Sequence, residues 1–163
     1  MEERINNFGK QEIICQETLK LEEKGKIILP KSTFATQDDK IALMYDLRRT
    51  KIIIEEYQKF EEHLDYIEKR LEILYREKKI DYKQLHQFQL YIYGDGCLEP
   101  PTTVKSGRRI VIPSRAIERL NLKDTVYAVG NTVRINQPDK ELILHRLELY
   151  PSEESYTLSK KNV

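Results

Sequence analysis

The pattern of hydrophobic and polar positions predicts strands in both halves of the chain with helices between them. Short apolar runs typical of strands occupy 13–21, 26–29, 41–45 and 51–55, and similar runs recur at 109–112 and 124–135. In the middle of the chain the apolar positions alternate steps of three and four residues, as on one face of an amphipathic helix. These positions are Tyr57, Phe60, Leu64, Ile67, Leu71 and Leu74. The pattern predicts an α+β fold.

A second helix is predicted to start near Asp81, whose carboxylate suits an N-cap, and to end at the glycines of 94–96. Leu85, Phe88 and Ile92 would share its apolar side. The two helices form a helical hairpin over 57–93. Its apolar stripe needs a partner, which is either the sheet of the same chain or another subunit. Packing within the chain is the simpler interpretation and the one we expect.

An internal repeat relates the two halves. Residues 24–32, KGKIILPKS, resemble residues 107–115, GRRIVIPSR, and aligning the two prolines matches Lys26 with Arg109. Each copy has a glycine for a tight turn, a cationic residue, three aliphatic residues and a proline that ends the strand. The repeat predicts a hairpin arm in each half, with the aliphatic triplet buried on both faces.

The second copy continues into a predicted helix and further strands. Ser114 suits a cap for a short helix that buries Ala116, Ile117 and Leu120 and leaves Arg115 and Arg119 on the opposite side. Residues 124–135 are predicted to form two strands joined by a turn at Gly130 and Asn131. Residues 141–147 predict one more strand or a short helix. In the first copy a turn or short helix is expected near Ser32.

Composition and termini add limits. The chain has 163 residues, a formal net charge of +1 and no tryptophan. Residues 1–11 and the polar tail 148–163 are predicted to be mobile and flexible. No window holds eighteen uninterrupted apolar residues and the N-terminus lacks a basic-then-apolar leader, so we expect a cytoplasmic protein without membrane contact. Cys15 and Cys97 are far apart and predict neither a disulfide framework nor a zinc site.

Basic residues are concentrated locally although the net charge is small. Between Thr102 and Arg119 the chain has a single acid, Glu118, and five basic residues. These are Lys105, Arg108, Arg109, Arg115 and Arg119. An exposed basic loop explains such a run by itself, so its use as a contact for nucleic acid needs further support.

The tandem pattern resembles the SpoVT/AbrB superfamily and, because two copies flank a helical middle, the MraZ family in particular. The resemblance covers about residues 13–137 and rests on EEKGK at 22–26, on the second copy of the motif and on AVGN at 128–131. The chain departs from the family pattern in several places. Glu22 and Lys26 stand where Asp and Arg are usual, Lys105 is in the acidic position, and Gly107 lies one place earlier than Gly25.

The resemblance implies two swapped-hairpin half-repeats, 13–56 and 97–147, that form one pseudo-symmetric β-barrel-like domain with the helical hairpin inserted. It further implies a homo-oligomer, ring-shaped in that family, and a nucleoid-associated transcriptional regulator that binds double-stranded DNA through basic hairpin loops. Lys26 and Arg109 would be the principal contacts, with the other basic residues around them. The implied DNA-binding set is Lys24, Lys26, Lys105, Arg108, Arg109 and Arg115.

The chemistry of these residues is compatible with that role. An arginine on a hairpin can reach the O6 and N7 acceptors of guanine in the major groove, which admits a two-stranded ribbon. Lys26 is a point charge without the bidentate fork, so its contact would be less selective. The alternative interpretations are ordinary exposed hairpin residues, or an antitoxin-like protein-interaction module of the same fold that has lost DNA binding.

An enzyme is not predicted. The sequence has no nucleophile elbow and no phosphate-binding glycine loop. His63, His86 and His145 lack companions at metal-ligand spacing, and we expect no cofactor, metal or small-molecule substrate. Carboxylates crowd the start of the first helix, and interleaved basic residues indicate a solvated face as the better explanation. The carboxylates are Glu55, Glu56, Glu61 and Glu62, and the basic residues are Lys59, Lys69 and Arg70.

Overall fold

The structure is a computed structural model that describes residues 11–32, 39–46, 51–90, 96–138 and 140–161. It contains nine strands and four helices within those residues. The strands are β1 (Gln11–Lys20), β2 (Lys26–Ile28), β3 (Lys40–Asp46), β4 (Lys51–Glu56), β5 (Gly96–Leu98), β6 (Thr102–Thr103), β7 (Arg109–Val111), β8 (Thr125–Asn136) and β9 (Glu141–Tyr150). The helices are α1 (Tyr57–Arg76), α2 (Tyr82–Leu90), α3 (Ser114–Arg119) and α4 (Glu153–Lys161). A single 3₁₀ turn covers Glu23–Gly25.

Most strands belong to one antiparallel sheet, which confirms the α+β class. Its order is β1-β8-β9-β4-β3-β5, with β6 also paired to β3, while β2 and β7 form a separate two-stranded ribbon. The predicted barrel-like closure is wrong, because among the described strands β1 and β5 remain at opposite ends of the sheet. The ribbon closes the core instead. Ile27 and Ile110 lie in one apolar cluster with Ile52 and Leu147 from the sheet.

Two pairings are hairpins, β3 with β4 and β8 with β9, and the remaining ones join strands from before the helical hairpin to strands after it. These long-range pairings are β1 with β8, β2 with β7, β4 with β9, and β3 with both β5 and β6. The main apolar cluster therefore draws side chains from both halves of the chain. Neither half has a sheet of its own that includes all of its described strands.

The predicted turn at Gly130 and Asn131 is wrong. β8 continues through both residues from Thr125 to Asn136, and the chain reverses later, where the Gln137 N–H donates to the Lys140 carbonyl at 2.9 Å. Gly130 has a packing role instead. A Cβ at this position would come within 2.7 Å of Cys15 Sγ on the neighbouring strand. The glycine that suggested a turn thus allows close approach between two strands.

The predicted flexible tail is also wrong. Glu148 to Tyr150 complete β9, which settles 141–147 as strand, and Glu153–Lys161 form α4. Ser152 Oγ accepts a hydrogen bond from the Ser155 N–H at 3.0 Å and satisfies a free amide of the first turn. Tyr156 is buried and contacts the rings of Tyr127 and Tyr150, with centroids 5.5 and 5.0 Å away. One aromatic anchor therefore orders this segment.

The helical hairpin packs within the chain, as expected. Phe60, Ile67 and Leu71 of the predicted stripe are buried, and the last two form a small cluster with Ile80, Leu85 and Phe88. Asp81 is confirmed at the start of α2, since its Oδ1 accepts from the Gln84 N–H at 2.8 Å. Ile92 and residues 1–10 lie outside the described part of the chain, and Gln11 already belongs to β1. None of the described helices is long and apolar enough to cross a membrane.

Candidate nucleic-acid interface

The β2–β7 ribbon has one buried face and one exposed face. At its centre Ile27 is paired with Ile110, and both side chains are buried. On either side of this pair the residues point outward, where Ile28 is 45% exposed and Val111 49% exposed. The prediction that the aliphatic triplets are buried on both faces is therefore wrong. The three-residue strands alternate, and only their central residues belong to the core.

Hydrogen bonds around the ribbon occur in matched pairs. The Leu29 N–H donates to the Arg108 carbonyl at 2.8 Å, and the Ile112 N–H donates to the Gly25 carbonyl at 2.7 Å. The turns match as well. The Glu22 N–H donates to the Lys26 carbonyl and the Lys105 N–H to the Arg109 carbonyl, both at 2.8 Å. When the segments are aligned on Pro30 and Pro113, these four bonds form two matched pairs.

Each turn that precedes a ribbon strand contains two successive residues in the left-handed region. In the first turn these are Lys24 (φ 61°) and Gly25 (φ 80°), and in the second they are Gly107 (φ 73°) and Arg108 (φ 60°). The shift of the glycine by one place thus leaves the turn geometry unchanged. In each turn one non-glycine residue accepts the less favourable conformation.

The outer face of the ribbon carries the two residues predicted to matter most. Lys26 lies opposite Val111, and Arg109 lies opposite Ile28, all four exposed. The ribbon face is therefore mixed, with two cations and two aliphatic side chains in alternating corners. Sequence reasoning missed Ile28 and Val111 as surface residues. Strand alternation was the available signal. Successive side chains of a strand point to opposite faces, so a two-stranded ribbon that covers the core with one face exposes the other face to solvent.

The remaining predicted residues divide into exposed and engaged side chains. Lys24 and Lys105 are exposed at the two turns, and Arg115 is exposed on α3 immediately after the second ribbon strand. Arg108 is different. Its Nε donates to the Leu29 carbonyl at 3.3 Å, and its terminal guanidinium nitrogen donates to the Pro30 carbonyl. Arg108 thus fastens the second turn to the end of the first ribbon strand.

α3 begins one residue earlier than the capping prediction required. Ser114 is its first helical residue, Pro113 is the N-cap, and no side-chain cap bond is made there. The prediction for Ser114 is wrong because proline already fixes the backbone at the helix entrance. Its two faces are as expected. Ala116 and Leu120 are buried, whereas Arg115 and Arg119 are exposed.

A second charged cluster lies on β4 and β9, away from the ribbon. Glu148 accepts from Lys51 Nζ at 2.5 Å and from the Tyr150 hydroxyl at 2.6 Å, and Glu55 accepts from Arg146 Nε at 2.8 Å. Burial opposes ionisation of Glu148, but Lys51, the Tyr150 hydroxyl and Arg146 together outweigh it and hold the pKa of this carboxyl below its ordinary value. Both carboxylates are thus neutralised by a cation from the adjacent strand.

His63 lies beside this cluster. Burial lowers the pKa of its imidazole, with Glu55 and Arg146 acting in opposite directions. Its Nε2 and the Oε2 of Glu55 are buried and make no hydrogen bond within the described residues. The cluster has the form of structural ion pairs between strands. Among the described residues no group of three or more His, Cys, Asp or Glu side chains is arranged to hold a metal ion.

No protein-family model matches this chain, and no curated protein matches it in sequence.

Proposed function

We propose that this chain is a DNA-binding transcriptional regulator of the SpoVT/AbrB type that contacts the double helix through the outer face of the β2–β7 ribbon. The observation that carries the proposal is the exposed ribbon face with Lys26 and Arg109, bounded by turns that expose Lys24 and Lys105. A two-stranded ribbon has the width that the major groove admits. Cations on its face and turns would contact base edges and phosphates together.

The proposal includes an origin in two copies of one hairpin unit that have exchanged strands. The matched hydrogen bonds support it, because Leu29 with Arg108 and Ile112 with Gly25 repeat the same contact in both directions. The pairing at Ile27 and Ile110 supports it too, since aligned residues of the two copies face each other. A pseudo-twofold relation of this kind presents two related turns on one surface.

Affinity in this proposal comes from local charge and from oligomerisation. The net charge of +1 gives no long-range attraction to DNA. A homo-oligomer, such as the ring that the family resemblance suggests, would present several ribbons to successive sites. Weak contacts then add through effective concentration.

The competing function is a protein-interaction module of the same fold, in the manner of an antitoxin. Ile28 and Val111 favour it, because exposed aliphatic side chains on a ribbon suit a protein surface. The two functions differ in their response to salt and to loss of charge. Phosphate contacts weaken steeply as salt rises, whereas apolar contacts do not.

Binding to a fluorescent duplex from upstream of the gene for this chain, measured by anisotropy at several salt concentrations, tests the proposal. We expect steep salt dependence in the unchanged protein. Arg109→Ala should weaken binding roughly tenfold and Lys26→Ala by a smaller factor, and each should reduce the slope of log affinity against log salt by about 1.

Arg76→Ala is the matched control, because Arg76 is an exposed arginine at the end of α1, away from the ribbon. It should bind like the unchanged protein. A random-sequence duplex of equal length separates specific from general attraction. The proposal is contradicted if neither duplex binds at low salt, or if the ribbon variants bind as well as Arg76→Ala. Binding of a protein partner that the Ile28→Asp variant loses would then favour the interaction module.

A further inference from the structure

We infer that the two ends of the ribbon read DNA differently. Arg109 selects a guanine, and Ile28 contacts the methyl group of a neighbouring thymine. Lys26 contributes to affinity alone. The inference rests on the proposed function and specifies its substrate, a short duplex element that contains adjacent G·C and T·A pairs. It concerns differences between two turns whose backbones match.

The register of the ribbon places the two chemistries side by side. Arg109 lies directly opposite Ile28. This end of the ribbon therefore combines a guanidinium fork with an aliphatic side chain that is 45% exposed. Guanine offers O6 and N7 to such a fork, and the thymine methyl is an apolar contact in the same groove. The opposite end of the ribbon combines Val111 with Lys26, a point charge that binds phosphate or base without a fixed geometry.

Among the described residues, a side chain fastens the second turn and none fastens the first. Arg108, the residue before Arg109, binds the carbonyls of Leu29 and Pro30 and holds this turn against the first ribbon strand. The aligned position in the first turn is Gly25, where a Cβ would lie 2.3 Å from the Ile112 carbonyl oxygen. No side chain can act there. Because base selection requires a held geometry, the fastened turn suits Arg109 better than the first turn suits Lys26.

The charges of the two turns also favour the second turn as the closer contact with DNA. Glu22 and Glu23 are exposed beside Lys24 in the first turn, whereas the second has Lys105 and Ser106 at the aligned positions. Carboxylates repel the phosphate backbone, and Lys105 attracts it. The second turn therefore approaches DNA more closely, which brings Arg109 within reach of base edges.

Strand geometry sets the length of the element. Lys26 and Arg109 are two residues apart along the strand direction and one strand apart, so their Cα atoms lie about 8 Å from each other. This corresponds to about two base-pair steps. One ribbon therefore addresses a few base pairs, and longer operators require additional subunits.

The test begins with selection of binding sequences by the full-length protein from a random duplex library. We expect a motif with one well-defined guanine next to a thymine and a poorly defined flank. Within that motif, 7-deazaguanine removes N7 and uracil removes the methyl group. The unchanged protein should lose roughly tenfold affinity for the first and roughly threefold for the second.

The variants assign each loss to a residue. Arg109→Ala should bind both guanine forms alike, and Arg109→Lys should keep a smaller difference between them, because lysine can still donate to N7. Ile28→Ala should bind thymine and uracil alike. Lys26→Ala should weaken every duplex by the same factor and keep both base losses. All three positions are exposed, and melting curves equal to that of the unchanged protein verify the folding of the four variants.

Several results would overturn the inference while DNA binding stands. They are a motif with two equivalent guanine positions, a selection that yields no motif from DNA that does bind, or a 7-deazaguanine loss that persists in Arg109→Ala. Absence of binding to any duplex would instead remove the proposed function, and the asymmetry with it.

Discussion

The glycines of the two ribbon turns have the same backbone task but different surroundings. Gly25 and Gly107 both have positive φ, at 80° and 73°. A Cβ on Gly25 would meet the Ile112 carbonyl oxygen at 2.3 Å, which is a backbone atom held in the ribbon. A Cβ on Gly107 would meet only Arg109 Nε, at 3.8 Å. Gly25 is required for packing as well as for conformation, and Gly107 for conformation alone.

Alanine at these positions should therefore have unequal effects on stability. Gly107→Ala adds only left-handed strain and should cost about 1 kcal/mol. Gly25→Ala adds displacement of the ribbon and should cost about 3 kcal/mol or more. Urea unfolding of the two variants measures the difference, with Gly107→Ala as the control for strain. Equal losses would mean that the Ile112 contact is unimportant.

The sequence predicted a set of cations around the two ribbon turns but did not show which of their side chains bond within the protein. Lys26 and Arg109 were predicted from the aligned repeat and the family resemblance, and both side chains are exposed on the ribbon. The contact of Arg108 was not predictable, because its binding of the Leu29 and Pro30 carbonyls depends on contact between segments far apart in sequence. Neighbouring arginines at 108 and 109 therefore have different tasks, although their sequence context is nearly the same.

Among the secondary-structure elements, α4 and β8 show why local patterns fail. α4 is short and polar, with Tyr156 as its buried residue, so its periodicity was too weak to predict a helix. In β8 the dipeptide Gly130-Asn131 has the composition of a turn, yet both residues lie inside a long strand. In each case a tertiary contact decides the conformation. The contacts are the rings of Tyr127 and Tyr150 for α4, and Cys15 for Gly130.

Removing the anchor of α4 should destabilise the molecule. Tyr156→Ala deletes a buried aromatic side chain and should lower the free energy of unfolding by about 3 kcal/mol. Leu158→Ala is the matched control, because Leu158 lies on the same helix and is 52% exposed. It should change stability by less than about 0.5 kcal/mol. Chemical denaturation distinguishes the two. Similar values for both variants would show that α4 does not stabilise the sheet.

For the whole molecule, strand locations were predictable and their partners were not. The strands of the first half match their predicted positions closely. Closure into a barrel was expected from the family resemblance, but it depends on whether distant strand edges meet. Here β2 and β7 form a separate ribbon that covers the apolar core on one face of the sheet, and the sheet itself stays open. A pattern with period two specifies which face is buried and does not specify which strand lies alongside.

The strand pairings between the two halves predict that neither half completes its fold alone. A chain divided between Leu90 and Gly96 gives two fragments whose strands β1, β2 and β4 pair with β8, β7 and β9 of the other fragment. The first fragment by itself should show only the helical circular dichroism of its hairpin, and the second should show that of a largely unfolded chain. Mixed in equal amounts they should form a compact complex that elutes together in gel filtration. A fragment that folds without its counterpart would contradict the intertwined arrangement.

The pairing of β1 with β8 also affects the order of events during synthesis. Gln16 and Tyr127 meet through a hydrogen bond between residues 111 positions apart in the chain. β1 therefore leaves the ribosome long before β8 is translated, and its exposed Ile13 and Ile14 must stay out of other associations meanwhile. Such distant contacts make folding slow, because a large loop must close, at a cost in chain entropy, before the pairing of the strands stabilises the sheet. The helical hairpin has local contacts and can form during this interval.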